Sequence, residues 1–390
     1  MKVAIFAAEI PAPTFIENLI ETLAEAGHQI YLFGYERKKK DYPAANIHVY
    51  PTPTKLYSVI PFVLKQSLLM LFSNPALWWK TVELCFRKNE WKLAILKLSL
   101  YLPILRHQVD KFHFQWASHP PFYSELMELL TCPIYLSLRG AHINYAPLVR
   151  EGLAESYQEI FPKMTGFHAV SNAIGKEAEK YGAVPQKIHT IYSAISPGVI
   201  NTYKAPKEYI GGQLRLTSIG RFHWKKGYNY AIQSLHLLRK SGVDAQYTLV
   251  AQGGLPEELR YQIRQLGLEN HVKIINGLLH HLVLEKVQES HVLLLPSVEE
   301  GVANVVLEAM AVGTIVVSTG CGGMAEVIEN GRSGFMVPMR KPQAMADAVI
   351  NYTKLTQVQR TEMAEAAYQR ILKHHTRETM LNGFEALYEE

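Results

Sequence analysis

Thirteen short β-rich, mostly apolar runs alternate with helical stretches along this chain, and a run that is apolar on both faces must be covered by helices on both sides. The first series comprises 2–7, 29–34, 46–50, 111–115, 133–139, 166–170 and 187–192, and the second 214–220, 246–253, 272–277, 291–297, 314–319 and 335–338. Between them, Ser196-Pro197-Gly198 and the Pro- and Lys-rich 203–207 read as a linker near residue 200. A length of 390 residues agrees with two or three domains rather than one core. The expected class is therefore α/β, with two Rossmann-like parallel-sheet domains, 1–200 and 201–375, facing a central cleft. Ligands of such sheets bind beyond the carboxyl ends of the strands, so the cleft is the expected site.

Composition narrows the function. With 48% hydrophobic and 19% charged residues the chain folds fully, and 40 Lys+Arg against 35 Asp+Glu, spread along it, announce no nucleic-acid partner. Cys85, Cys132 and Cys321 lack CxxC spacing, which argues against a disulfide framework or a structural zinc and fits a reducing cytoplasm. The apolar start meets Pro11 and Pro13 too soon for a signal peptide, and 56–72 is interrupted by Pro61, Lys65 and Gln66. The only Asp residues are Asp41, Asp110, Asp244 and Asp347, too far apart for a DxD metal-diphosphate motif. The pairs His280-His281 and His374-His375 lack the one-face spacing of a helical zinc site, so no metal is expected.

Residues 55–111 carry nine Lys/Arg against three acidic residues, with Trp78, Trp79 and Trp91 interleaved. Two readings stay open: a peripheral contact with an anionic membrane on its inner, cytoplasmic face, or helices packed on the first sheet with a solvated basic face.

Chemistry concentrates in the second half. After the run 291–295, a helix starting near Gly301 would aim free N–H groups at an anion, with Glu300 in the loop before it and Glu308 two turns in, placed to accept bonds from sugar or ribose hydroxyls. At the end of the run 214–220, Arg221 and Lys226 stand on a Gly-flanked loop, where a guanidinium and an ammonium suit a diphosphate leaving group.

Ser297 to Gly313 resembles the S-x-x-E-G-x6-E-A-x-A-x-G form of the E-x7-E signature of glycosyltransferase family 4, retaining enzymes of the GT-B fold, and Gly220 to Gly227 resembles that family's G-R-x-x-x-x-K-G. Gly320 to Glu326 is similar to its G-G-x-x-E loop and Gln252-Gly253-Gly254 to its glycine-rich turn. Pro11 to Ile16, reading P-x-x-T-F-I, resembles the T-F-I variant of colanic acid and exopolysaccharide transferases. The strand 133–139 matches one that commonly ends in H-G-x-D, with Arg139 in place of the His and His142 in place of the Asp; Arg139 then suits the leaving phosphate and His142 the acceptor. His113-Phe114-Gln115-Trp116 resembles a His-rich strand end bordering the acceptor, and Asn276 to His281 would border the base.

The resemblance implies a metal-independent, front-face transfer of a sugar, with retention, from a nucleotide-diphosphate sugar to a saccharide or lipid-linked saccharide in cell-surface polysaccharide synthesis. No cofactor is implied, and a C-terminal helix, 376–390, would return to the first domain. The catalytic candidates are Glu300, Arg221, Lys226, Arg139 and His142, with Glu308, Gly301, Val302, Asn304, Ser297, Gly220, Gly253, Glu326 and Thr14 as substrate-binding candidates. The alternatives are a nucleotide-sugar epimerase or phosphorylase of the same fold, and a non-catalytic sugar-nucleotide-binding scaffold.

Overall fold

The computed structural model describes residues 1–389, and of Leu56 only the backbone. All thirteen strands lie where the apolar runs place them: β1 Lys2–Ile10, β2 Gln29–Glu36, β3 Ile47–Thr52, β4 Lys111–Phe114, β5 Ile134–Leu138, β6 Gly166–Ala169, β7 Ile188–Thr190, β8 Leu214–Arg221, β9 Ala245–Gln252, β10 Val272–Ile275, β11 Val292–Leu295, β12 Ile315–Thr319 and β13 Phe335–Val337. They form two sheets, ordered β3-β2-β1-β4-β5-β6-β7 and β10-β9-β8-β11-β12-β13. Every paired strand is parallel. Central strands such as β5 and β11 are buried at each residue, which is why their sequences are continuous apolar runs rather than alternating ones.

The first compact unit holds 1–170, 174–191 and the segment from Met380 on; the second holds 171–173 and 192–379. The boundary thus falls at 191/192 rather than at 200. The reason is packing: Ile195, Val199 and Ile200 are buried in the second unit's core, so the Pro-Gly punctuation at 197–198 opens a short helix, Pro197–Ile200, instead of a free linker. The C-terminal segment belongs to the first unit from Met380 rather than from 376, with Phe384, Leu387 and Tyr388 buried there and the Tyr388 hydroxyl 2.6 Å from His113 Nδ1.

In the first unit, α1 (Thr14–Glu25) follows β1, and between β3 and β4 the chain inserts α2 (Leu56–Ser73), α3 (Pro75–Lys88) and α4 (Trp91–Leu105). Val59, Val63, Met70, Cys85, Ala94, Leu98 and Tyr101 from this insertion join the core of the sheet. Lys97 is drawn inside as well, with Nζ 2.8 Å from both carboxylate oxygens of Glu125, so it is withdrawn from the basic surface that the residue count implies. The outward face of α2 is apolar: Tyr57, Ile60, Leu64, Leu68 and Phe72 follow one another at helical spacing, with Phe72 86% exposed. Among the described residues no helix is long and apolar enough to cross a membrane.

Candidate active site

In the second unit the candidate residues gather at the carboxyl ends of β8 and β11. β8 runs out through Gly220 and Arg221 into one tight turn, Trp224–Lys226, closed by Gly227 at φ +62°. A Cβ at residue 227 would lie 2.2 Å from the Pro296 carbonyl oxygen, so only glycine lets the two loops meet. The Lys225 carbonyl then accepts from Val298 N–H at 2.7 Å, joining the β8 loop to the β11 loop. This juxtaposition sets Lys226 Nζ 2.6 Å from Glu300 Oε1, which also accepts from the Ser297 hydroxyl at 2.9 Å. Glu300 and Ser297 are buried, and Lys226 is largely so.

A third loop supports Glu300 from behind. Gly322, at φ +53°, approaches so closely that a Cβ there would sit 1.8 Å from the Glu300 carbonyl oxygen, and Gly323 N–H donates to Gly301 O at 2.8 Å. That bond ties Gly301 to the neighbouring loop and 301–303 stay outside the helix, which starts at Asn304 (Asn304–Ala311) and not near Gly301 as the motif alone implies. No side chain caps this helix, leaving its first-turn amides without a capping acceptor beside Val302 and Asn304.

The local field is positive. Burial first, then Lys226 and Arg221, hold the Lys225 ammonium below its usual range against the opposing pull of Glu300 and Glu299. Arg221 is exposed and makes no ion pair among the described residues. Glu308 lies on the helix and meets His280 Nε2 at 2.8 Å; the hydrogen bond to Glu308 raises the His280 pKa, with burial opposing. At the end of β9, Gly253 N–H donates to Asn276 Oδ1 at 3.2 Å. Glu326 is committed to the protein: its carboxylate accepts from Asn172 N–H and Ala173 N–H, both at 2.9 Å, and from the Tyr192 hydroxyl at 3.1 Å.

The remaining candidates lie in the first unit. Thr14 opens α1 and is exposed. Arg139 follows β5, buried, with its guanidinium 4.5 Å from the centre of the Phe15 ring. The His142 ring lies 5.3 Å from that of Trp116, whose indole N–H donates to Ala7 O at 3.2 Å, so one edge of Trp116 is anchored to the protein. Beneath them the Ser137 hydroxyl sits 3.0 Å from His113 Nε2 and 2.9 Å from His168 Nδ1. Burial pushes His113 down to about 3 and His168 well below its usual range, with Arg139 as the next cause for each, so both imidazoles are neutral at pH 7. The His–Ser–His chain and the His280–Glu308 contact went unpredicted; the adjacent motifs flagged the stretches but not the pairings.

The profile of Glycosyl transferases group 1 matches residues 200–370, the span that carries Arg221, Lys226, Glu300 and Glu308. The putative colanic acid biosynthesis glycosyltransferase WcaL of Salmonella typhimurium is 25% identical over 377 residues, covering 91% of each chain. The amylovoran biosynthesis glycosyltransferase AmsK of Erwinia amylovora is 26% identical over 219 residues, 54% of this chain and 53% of that one. Among solved structures, Anabaena HepE in complex with UDP and glucose superposes with a TM-score of 0.71 at 16% identity over 100% of both chains, which establishes the fold as GT-B. Residues 200–370 therefore carry a domain similar to Glycosyl transferases group 1, within a chain whose fold is GT-B.

Proposed function

We propose that the protein transfers a sugar, with retention at the anomeric carbon, from a nucleotide-diphosphate sugar to a saccharide or lipid-linked saccharide acceptor in exopolysaccharide synthesis. The observation that carries this reading is the Lys226–Glu300 pair at 2.6 Å, built by glycine-dependent loop contacts and set among the further cations Arg221 and Lys225. A cluster with more cations than carboxylates favours a dianionic ligand, and a diphosphate is the leaving group that places such charge beside a sugar. As the C1–O bond breaks, negative charge grows on the diphosphate, and Arg221, Lys226 and the uncapped turn at Asn304 stabilise it without a metal. The acceptor hydroxyl adds to C1 from the face that the diphosphate leaves and gives its proton to a phosphate oxygen, while Glu300 holds sugar hydroxyls. WcaL and AmsK support the polysaccharide setting, and the UDP and glucose bound by HepE support the donor class.

We read the apolar face of α2, together with the exposed Lys55, Lys65, Lys80 and Lys92 of the same stretch, as a peripheral contact with an anionic lipid surface, where a lipid-linked acceptor would be found. The primary test is mass-spectrometric and calorimetric screening of the purified chain against nucleotide sugars, with Glu300→Gln and Lys226→Ala in parallel. One donor should bind and be slowly cleaved with retained configuration, and each variant should lose roughly 100- to 1,000-fold in turnover while keeping its folding transition. Isomerised sugar still on the nucleotide, or variants that behave like the wild type, would overturn the reading.

A further inference from the structure

Two buried side chains in the first unit each keep one N–H group without an acceptor. Gln115, directly after β4, is 0% exposed, and Arg139, directly after β5, is 9% exposed. Arg139 Nη2 donates to Gln115 Oε1 at 3.0 Å. Since a guanidinium can only donate, Gln115 must turn its oxygen toward Arg139, which leaves its amide Nε2 facing elsewhere. Gln115 Nε2 and Arg139 Nε are both buried without a hydrogen-bond acceptor. A buried donor that lacks its acceptor has given up its bonds to water with nothing in return, and a buried charge without a counter-ion loses more.

The charge balance is equally one-sided. Arg139 makes no ion pair among the described residues, and its neighbours are the Phe15 ring, Gln115 and the neutral His113–Ser137–His168 chain. Burial lowers the guanidinium pKa to about 9, which keeps it charged at pH 7. Both donors stand at the carboxyl ends of adjacent parallel strands, where such sheets bind ligands, and the strand backbone holds them in place before any ligand arrives.

We propose that Arg139 and Gln115 form an oxyanion receptor that takes a carboxylate or phosphate group of a substrate, one anionic oxygen on Arg139 Nε and one on Gln115 Nε2. The Phe15 ring covers the guanidinium face and leaves the donor edge as the place of recognition. The inference deepens the glycosyl-transfer reading by assigning a negative charge to the substrate part held by this unit, and it rests on that reading only for what the ligand is used for. Two sources carry the same chemistry, an acidic sugar or phosphate on the acceptor and the donor's diphosphate.

The test is titration of the full-length chain with D-glucuronate, inorganic phosphate and UDP in turn, following the ¹⁵Nε–H resonance of Arg139, assigned by its loss in Arg139→Gln. Glucuronate or phosphate should move that resonance in the wild type and in Lys226→Ala alike, and Gln115→Met should weaken the binding about tenfold, or 1.4 kcal/mol. A response to UDP alone supports the receptor with the donor's diphosphate as its source. An unmoved resonance with all three anions, or a glucuronate or phosphate response abolished by Lys226→Ala, overturns the proposal. Because binding is read in the wild-type protein without turnover, a negative donor screen and a negative titration are separate results, and the Gln115 variant keeps the test open if Arg139→Gln does not fold.

Discussion

Each unit holds one buried Lys–Glu pair, and the two pairs do different work. In the first, Lys97 grips both oxygens of Glu125 while Asn89 donates at 3.0 Å and the Tyr101 hydroxyl at 3.1 Å, all among helices of the insertion and its neighbour Ser124–Leu129. Burial alone would raise the Glu125 pKa, but the bonds from Lys97 and Asn89 outweigh it and the net shift is downward. In the second, Lys226 and Glu300 sit on loops at strand ends, in the field of Arg221 and Lys225. A pair whose hydrogen bonds close on helices holds the structure together; a pair on glycine-built loops among further cations suits the diphosphate proposed above.

The largest expected effect separates the two pairs directly. Lys97→Met leaves Glu125 buried without its cation and should lower unfolding stability by about 3–5 kcal/mol in urea, with turnover per folded molecule unchanged. Equal stability losses from Lys97→Met and Lys226→Met, both with normal turnover, would erase the distinction. Next comes the surface of the first unit against that of the second. Vesicles rich in anionic lipid should float the wild-type chain, and Lys80→Glu with Lys92→Glu should weaken that binding about tenfold or more, at roughly 1 kcal/mol per basic residue. Unchanged flotation, or none at all, would assign the α2 face to something other than lipid.

The smallest effect concerns protons. By NMR titration, His280 should hold its proton above the usual range, whereas His113 should stay neutral down to about 3 and His168 should titrate well below the usual histidine range. The signs follow by linkage: what the neutral histidines contribute is lost as pH falls below about 6.5, the unfolded value, while what His280 contributes is complete below 6.5 and is lost as pH rises through its raised folded value. Coincident titration of all three would contradict the burial and pairing described above.

The strands were legible because parallel sheets covered on both faces demand unbroken apolar runs, which need no partner to be seen. Lys226 and Glu300 were legible as well, since each lies in a local motif whose spacing is set by a turn or a helix. The Lys97–Glu125 pair was not: the residues are 28 apart, and a lysine in a basic stretch reads as surface until the fold buries it. The late helix start at Asn304 was hidden for the same kind of reason, because the bond that ties Gly301 outside the helix comes from Gly323, on another loop.

By itself the sequence determined two parallel-sheet units, the order of their strands along the chain and the cationic loop opposite Glu300, all features encoded over a few residues by hydrophobic period and glycine placement. Only the tertiary structure decided which polar groups were left without acceptors, since Gln115 and Arg139 become neighbours when β4 and β5 pair, and whether a buried donor finds an acceptor depends on every element packed around it.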